Sequence, residues 1–429
     1  MLAAVRACLP RLSSCWRKKN KMFAKTDELK VLRDPVHGYI RVELQVIWDC
    51  INSAWFQRLR RIRQLGGANM VYHCAEHTRF SHSLGVYEVV RRMVSEVPDI
   101  VAALSERDKV VVMAAGLLHD LGHGPYSHTF ELVTNTSHEE YTCRIIEEDT
   151  EITRILNSAA PGLAKEVADV IRHTSANPLL SQIVSSQLDA DRMDYLLRDA
   201  YFTGTKYGEF DMERILRTLR IEDGRQLVVK QSGVYAVENY IMSRYHMYWQ
   251  VSYHPTARSF ECVMNALFRR IKELYGPANE EELIDVFRPL IKNRPLSLAE
   301  YFRLDESSCG YAFDVLAGHP DRIVSDMAGR IRDRRLFVYA DSTPESIEAV
   351  REKLAACDLS EEYYLGHDSV RQNPYVPYTG QQDGSIWVRM KDGSVRELSN
   401  ASNIVYSLTH GPTNDDNKIF FPRELAGLD

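Results

Sequence analysis

Nine consecutive apolar residues, 110–118 (VVVMAAGLL), constrain this 429-residue chain more than any other stretch. No polar stripe interrupts the run, so a helix formed from it must be buried on every side, with other elements packed around it. The preceding Ser105-Glu106-Arg107-Asp108 has the spacing of a capping box with Asp in the acidic position, a helix-start signal. The run ends on His119-Asp120, and Gly122 and Gly124 then break the helix. An imidazole and a carboxylate are thus delivered at the inner end of a buried element. An unpaired charge there is costly, and a divalent metal compensates it most simply.

The rest of the chain reads as mainly α. Helical periodicity predicts helices over 80–97 (with Leu84, Val90 and Met93 inward), 137–147, 183–202, 234–253 and 257–275, with Pro255 interrupting the last two. From Lys30 to about Arg330 the chain is expected to be mostly helical, save for a hairpin over 219–230 turning at Glu222-Asp223-Gly224-Arg225. After Arg335 the pattern changes to a strand at 336–339, a helix over 343–356 and a hairpin over 385–398. The expected organisation is a basic tail (1–25), a helical domain (26–330) and a small α+β appendage (331–429).

Charge narrows the partners. The net charge is −6, but residues 1–26 hold seven basic groups (Arg6, Arg11, Arg17, Lys18, Lys19, Lys21 and Lys25) and no acid. The remainder carries 46 basic against 59 acidic residues, which argues against a general nucleic-acid binder and leaves room only for a local phosphate pocket. The basic start is read as a tail, with Met22 as the expected translation start. No apolar run approaches the roughly 20 residues that span a bilayer. The eight cysteines lack CxxC pairing and read as reduced thiols, so a cytoplasmic protein is expected.

The chemistry-bearing residues form a set. His82 follows Arg79 by three positions near a helix start, His119-Asp120 ends the buried run, and 189–199 holds four carboxylates in eleven residues. Asp191, Tyr195 and Asp199 fall on one helical stripe, and Asp194 with Arg198 makes an i, i+4 pair of structural character. Each element alone has an ordinary structural explanation. Together, two histidines and two carboxylates suit one divalent ion (Mn, Fe, Mg or Zn) with positions left open for water and substrate.

The order His82, His119-Asp120, Asp191 resembles the H…HD…D signature of the HD-domain metal-dependent phosphohydrolases. Asp34-Pro35-Val36-His37-Gly38, the run Phe56 to Gly66, Arg79 to Val86 and His119 to His128 are similar, more closely, to the deoxynucleoside triphosphate triphosphohydrolases. The likeness runs from about Lys30 to His254, and the chain is similar in size to the compact bacterial members. The resemblance implies a helical HD-domain core and release of deoxynucleoside and intact triphosphate from a dNTP. His82, His119, Asp120 and Asp191 would hold the metal. Arg79 and Arg192 would contact phosphates, with Arg244 and Lys206 as further candidates. His128 would be the general acid, with His123, His138 and Glu131 as catalytic companions. Gln64, Leu65, Tyr195 and Asp199 would select the sugar, and Tyr253 would stack on the base. Val31, Asn52, Gln57 and Arg60 would form an effector pocket for a dNTP, dGTP foremost, between subunits of a homotetramer; Asn52 stands where the vertebrate enzyme has Asp. Two alternatives stay open: another HD-family chemistry, such as a phosphodiesterase or guanosine-tetraphosphate hydrolase, and a nucleotide sensor with weak turnover.

Overall fold

The structure, a computed structural model, describes residues 23–127, 129–131, 136–292, 294–371, 375–376, 385–411 and 415–427. The apolar run forms the end of the helix Glu106–Leu118, opened by a reciprocal bond pair between Ser105 and Asp108, and all of Val110 to Leu118 is buried. Helices Arg79–Glu96, Leu163–Ile171 and Pro178–Val184 pack around it, and Arg79–Glu96 lies in turn against Ala190–Thr203. Gly85 permits that last approach, because a Cβ there would overlap the Asp194 carboxylate and the Arg198 guanidinium. The functional residues therefore sit on helices that are packed first and exposed second.

Two hydrophobic cores result. The first draws on Phe23 to Val251, with Tyr375, Ile386, Val388, Leu398 and Val405 added from the C-terminal region. The second surrounds the helix Pro255–Leu274 and gathers Tyr126, Phe130, Tyr141, Phe260 to Leu365 and Ile419 to Leu425. Each fully buried Leu, Ile or Phe contributes roughly 1.5–3 kcal/mol, so both are substantial. Arg58 joins them. It is wholly buried, lies over the Tyr301 ring, and donates to the carbonyls of His123 (2.9 Å) and Leu304 (2.6 Å).

The structure corrects three expected elements. Residues 25–44 are not helical but an antiparallel hairpin, Lys25–Asp34 with Gly38–Leu44. Its turn is closed by Asp34, whose Oδ1 accepts the N–H groups of Val36 and His37, and by Gly38 at φ 73°. The helix expected over 183–202 is two, Pro178–Val184 and Ala190–Thr203, because Asp189 caps a new start by accepting from the Arg192 N–H. The helix expected over 234–253 ends at Met247 and passes into a π turn, Tyr248–Ser252.

The hairpin Leu219–Glu222 with Gln226–Lys230 forms as expected, and Trp387–Arg389 and Val395–Glu397 extend it to four strands. Val338–Asp341 and Gly366–Arg371 flank Asp415–Phe421 in a separate three-stranded sheet. The chain after residue 331 is α+β and is shared between both cores. Among the described residues, no helix is long and apolar enough to cross a membrane.

Candidate metal centre and cleft

Three buried helices bring one donor set together. His82 comes from the first turn of Arg79–Glu96, His119 caps Glu106–Leu118 with Asp120 next, and Asp191 stands in the first turn of Ala190–Thr203. His82 Nε2 lies 3.1 Å from Asp191 and 3.6 Å from Asp120; His119 Nε2 lies 3.6 and 3.3 Å from the same pair. Each ring is oriented by its other nitrogen: His119 Nδ1 donates to the Gly116 carbonyl at 2.9 Å and His82 Nδ1 to Asp194 at 2.8 Å. Both Nε2 atoms are buried without a hydrogen-bond partner.

The charge balance fits a cation. Burial opposes a proton on His82, yet the carboxylates of Asp191, Asp194 and Asp120 around the ring push its pKa up to about 10. Burial would raise Asp191, but His119 and His82 hold it below the usual carboxylate range. Asp120 is likewise held well below that range against burial, by Arg79, His119 and His123. The pocket thus calls for positive charge between two bare imidazole nitrogens and two carboxylates. His82, His119 and Asp191 place donor atoms within 4.8 Å of one another, as a divalent ion of the Mn, Fe, Mg or Zn class would need, and Asp120 stands 3.6 and 3.3 Å from the two imidazole nitrogens.

A cleft of about 490 Å³ opens on this set. It is lined by His119, Asp120 and Asp191 together with Gln64, Leu65, Arg79, His123, His138, Arg192, Tyr195, Asp199 and Tyr253. Arg79 is engaged on one side with Asp120 (2.5 Å) and on the other with Ser127 (2.7 Å). Arg192 reaches back to Asp189 at 3.2 Å and leaves Nη1 buried without a partner; Gln64 Oε1 is in the same condition. Asp199 accepts from His77 at 2.8 Å.

Two expected members, Arg244 and Lys206, stand elsewhere. Arg244 lies behind the wall, its Nε 3.3 Å from the Tyr248 hydroxyl. Lys206 is exposed and paired with Glu209. His128 lies outside the described residues. Glu131 binds His138, with Nδ1 at 2.7 Å and the backbone N–H at 2.6 Å. His138 stacks on His123 at 3.9 Å, and His123 reaches Asp120 at 3.3 Å. Burial, with Arg79 beside it, holds the His123 pKa well below its ordinary value.

Val31, Asn52, Gln57 and Arg60 lie away from the cleft. Val31 is exposed on the hairpin, the Asn52 side chain donates to the Trp48 carbonyl, Gln57 to the Ile51 carbonyl, and Arg60 to Gln57 while covering the Phe80 ring.

Sequence reasoning missed Ser252 and His77, and within the aromatic run 245–253 it singled out Tyr253 rather than Tyr248. Tyr248 and Ser252 line the cleft, and the Tyr248 hydroxyl stands 3.3 Å from that of Tyr195. Burial raises Tyr248, but the Arg244 guanidinium, the Tyr195 hydroxyl and the Arg192 charge together bring the phenol below its ordinary value. A helical count misplaces Ser252, because the π turn changes the phase after Tyr248.

Comparison with known proteins agrees with this arrangement. The HD domain model matches residues 79–199 and the HD associated region model residues 210–417. The chain is 44% identical to the uncharacterized protein YwfO of Bacillus subtilis, over 94% of each chain. It is 31% identical to the deoxynucleoside triphosphate triphosphohydrolase SAMHD1 of Gallus gallus, over 52% of this chain and 42% of that protein. Among solved structures, a phosphohydrolase from Bacteroides thetaiotaomicron superposes with a TM-score of 0.80 at 30% identity, covering 92% of this chain and all of that one. The chain belongs to the HD-domain phosphohydrolases that carry the HD-associated region.

Proposed function

We propose that the cleft hydrolyses deoxynucleoside triphosphates to a deoxynucleoside and inorganic triphosphate. The observation that carries the reading is one cavity lined by His119, Asp120 and Asp191 of the donor set together with Arg79, Arg192, Gln64, Tyr195 and Asp199. His82, His119, Asp120 and Asp191 would hold a metal, which would supply a water of lowered pKa and neutralise phosphate charge. Arg192, with an unpartnered buried nitrogen, is free to bind a phosphate oxygen; Arg79 orients Asp120 and adds charge. Asp199 and Gln64 grip the 3′-hydroxyl, while the Tyr195, Tyr248 and Tyr253 rings wall the sugar and base.

The departing 5′-oxygen needs a proton. His128, the general acid that the resemblance implies, would give it, with His123 stacked on His138 as companions and Glu131 holding His138 through Nδ1. Val31, Asn52, Gln57 and Arg60 form the effector pocket, and dGTP binding there assembles a homotetramer. The HD-family relatives at 31% identity, named as deoxynucleoside triphosphate triphosphohydrolases, support the hydrolytic part of this reading.

Purified protein incubated with each dNTP and NTP, with Mn²⁺ and with or without dGTP, tests the assignment. Intact triphosphate with deoxynucleoside is the expected product pair. Release of pyrophosphate or monophosphate instead would reject it in favour of a diesterase or guanosine-tetraphosphate reaction.

One observation favours a second reading. Asp120, His123 and His138 also place donor atoms within 4.8 Å of one another. With Asp120 shared, the site would then be a two-metal hydrolase, in which His123 and His138 are ligands rather than companions of the general acid. Two manganese ions per chain would favour it, one the first reading.

A further inference from the structure

Behind the metal centre lies a polar cluster that none of these steps uses. Asp194 is wholly buried and accepts four hydrogen bonds. His82 Nδ1 and Arg198 Nε reach Oδ2 at 2.8 and 2.9 Å, while His37 Nε2 and Arg198 Nη2 reach Oδ1 at 2.6 and 2.9 Å. His37 comes from the turn of the N-terminal hairpin, 157 residues away in the chain. That turn is pinned to the same guanidinium: Asp34 pairs with Arg198 at 2.8 and 3.2 Å, and its Oδ1 also accepts the His37 N–H. All four side chains, Asp34, His37, Asp194 and Arg198, are buried.

An ionised carboxylate only accepts, so Asp194 fixes the proton of His82 on Nδ1 and leaves Nε2 bare toward Asp191. A histidine that ligates a metal depends on such a partner for its tautomer and ring orientation. Asp194 is itself held from two sides, by Arg198 on its own helix and by His37 across the hairpin. We infer that His37, anchored by Asp34, is a positioning residue of the metal centre: it fixes the Asp194 carboxylate, which aims His82 at the cation. The inference rests on the reading of His82 as a metal ligand. A hairpin turn with a purely structural role would alter stability and leave cation affinity untouched.

Mn²⁺ titration of the metal-free full chain separates these cases, with thermal midpoints of the metal-free proteins measured alongside. His37→Leu keeps volume and removes the donor; it is expected to weaken Mn²⁺ binding about tenfold or more. His37→Gln offers an amide N–H near the Nε2 position and is expected to stay within about threefold of wild type. A leucine variant that binds Mn²⁺ as wild type does overturns the inference, and so does a folded glutamine variant as weak as the leucine one. Should His37→Leu not fold, His37→Ala gives the same comparison. His119→Ala serves as the separate control: full Mn²⁺ affinity in that variant rejects the ligand set itself, whatever the His37 variants do.

Discussion

Gly85→Ala tests the tight contact behind the candidate metal centre. A methyl group at this position points at the Asp194 Oδ1 and Arg198 Nη2 atoms and overlaps both. A carbon–oxygen contact needs about 3.3 Å, so the carboxylate must retreat by more than about 1 Å. The bonds on Oδ1, at 2.6 Å from His37 and 2.9 Å from Arg198, do not survive such a shift with good geometry. Two effects compete. Alanine in a helix interior gains about 1 kcal/mol over glycine. Disrupting a wholly buried, hydrogen-bonded ion pair costs about 3–5 kcal/mol. The second wins, and the net destabilisation is about 2–4 kcal/mol, a large share of the roughly 5–15 kcal/mol that holds a domain folded. Urea unfolding of the metal-free protein reads this directly, and Mn²⁺ titration of the same sample should report weaker binding. A G85A protein within about 0.5 kcal/mol of the parent refutes the account, because the two helices would then have room that the packing denies them.

Other perturbations separate the remaining roles. Asp191→Ala is expected to carry no bound manganese by elemental analysis and to lose hydrolysis; unchanged turnover contradicts the donor set. Asp199→Ala should lower kcat/KM for a dNTP by roughly 10–100-fold, the worth of a hydrogen bond to a charged group, with little change for a substrate lacking the 3′-hydroxyl. Equal losses on both substrates would remove Asp199 from sugar selection. Glu261 supplies a pH test away from the metal site. Burial pushes its pKa up to about 7 from an ordinary 4.5, against a bond from Thr129. The folded state therefore binds the proton more tightly than the unfolded chain, so this group's contribution to stability is full below about pH 4.5 and is lost as pH rises through 7. The span is up to about 3 kcal/mol, and Glu261→Gln should flatten it. An unaltered slope between pH 5 and 8 would show that Glu261 ionises freely.

Much of the site was legible because its parts are local. The capping box and the apolar run of 105–118 locate His119 and Asp120 by spacing alone, and Asp191, Tyr195 and Asp199 share a stripe because four residues make about one helical turn. What escaped depends on long-range contact or on backbone phase. The Lys25–Leu44 hairpin lacks a clean alternation, since Leu29, Val31 and Tyr39 are exposed apolar residues. The break at 185–189 hides inside an apolar rhythm that both flanking helices keep, and only the Asp189 cap marks it. Tyr248 could not be told from a core aromatic by spacing, because what it faces is set by the packing of distant helices around the cleft. The partners of His77 and His37 lie 122 and 157 residues away, beyond any periodicity.

Arg58 has a mechanical consequence. Its guanidinium spans a dry seam, with the His123 carbonyl on one bank and Leu304 on the other, and Tyr301 beneath it donates in turn to the Gly122 carbonyl. Sliding one half of the molecule past the other would strand a cation away from water, so the seam resists shear. Force applied to the segment carrying Tyr301 and Leu304 is passed, through Arg58 and Tyr301, into the peptides at Gly122 and His123.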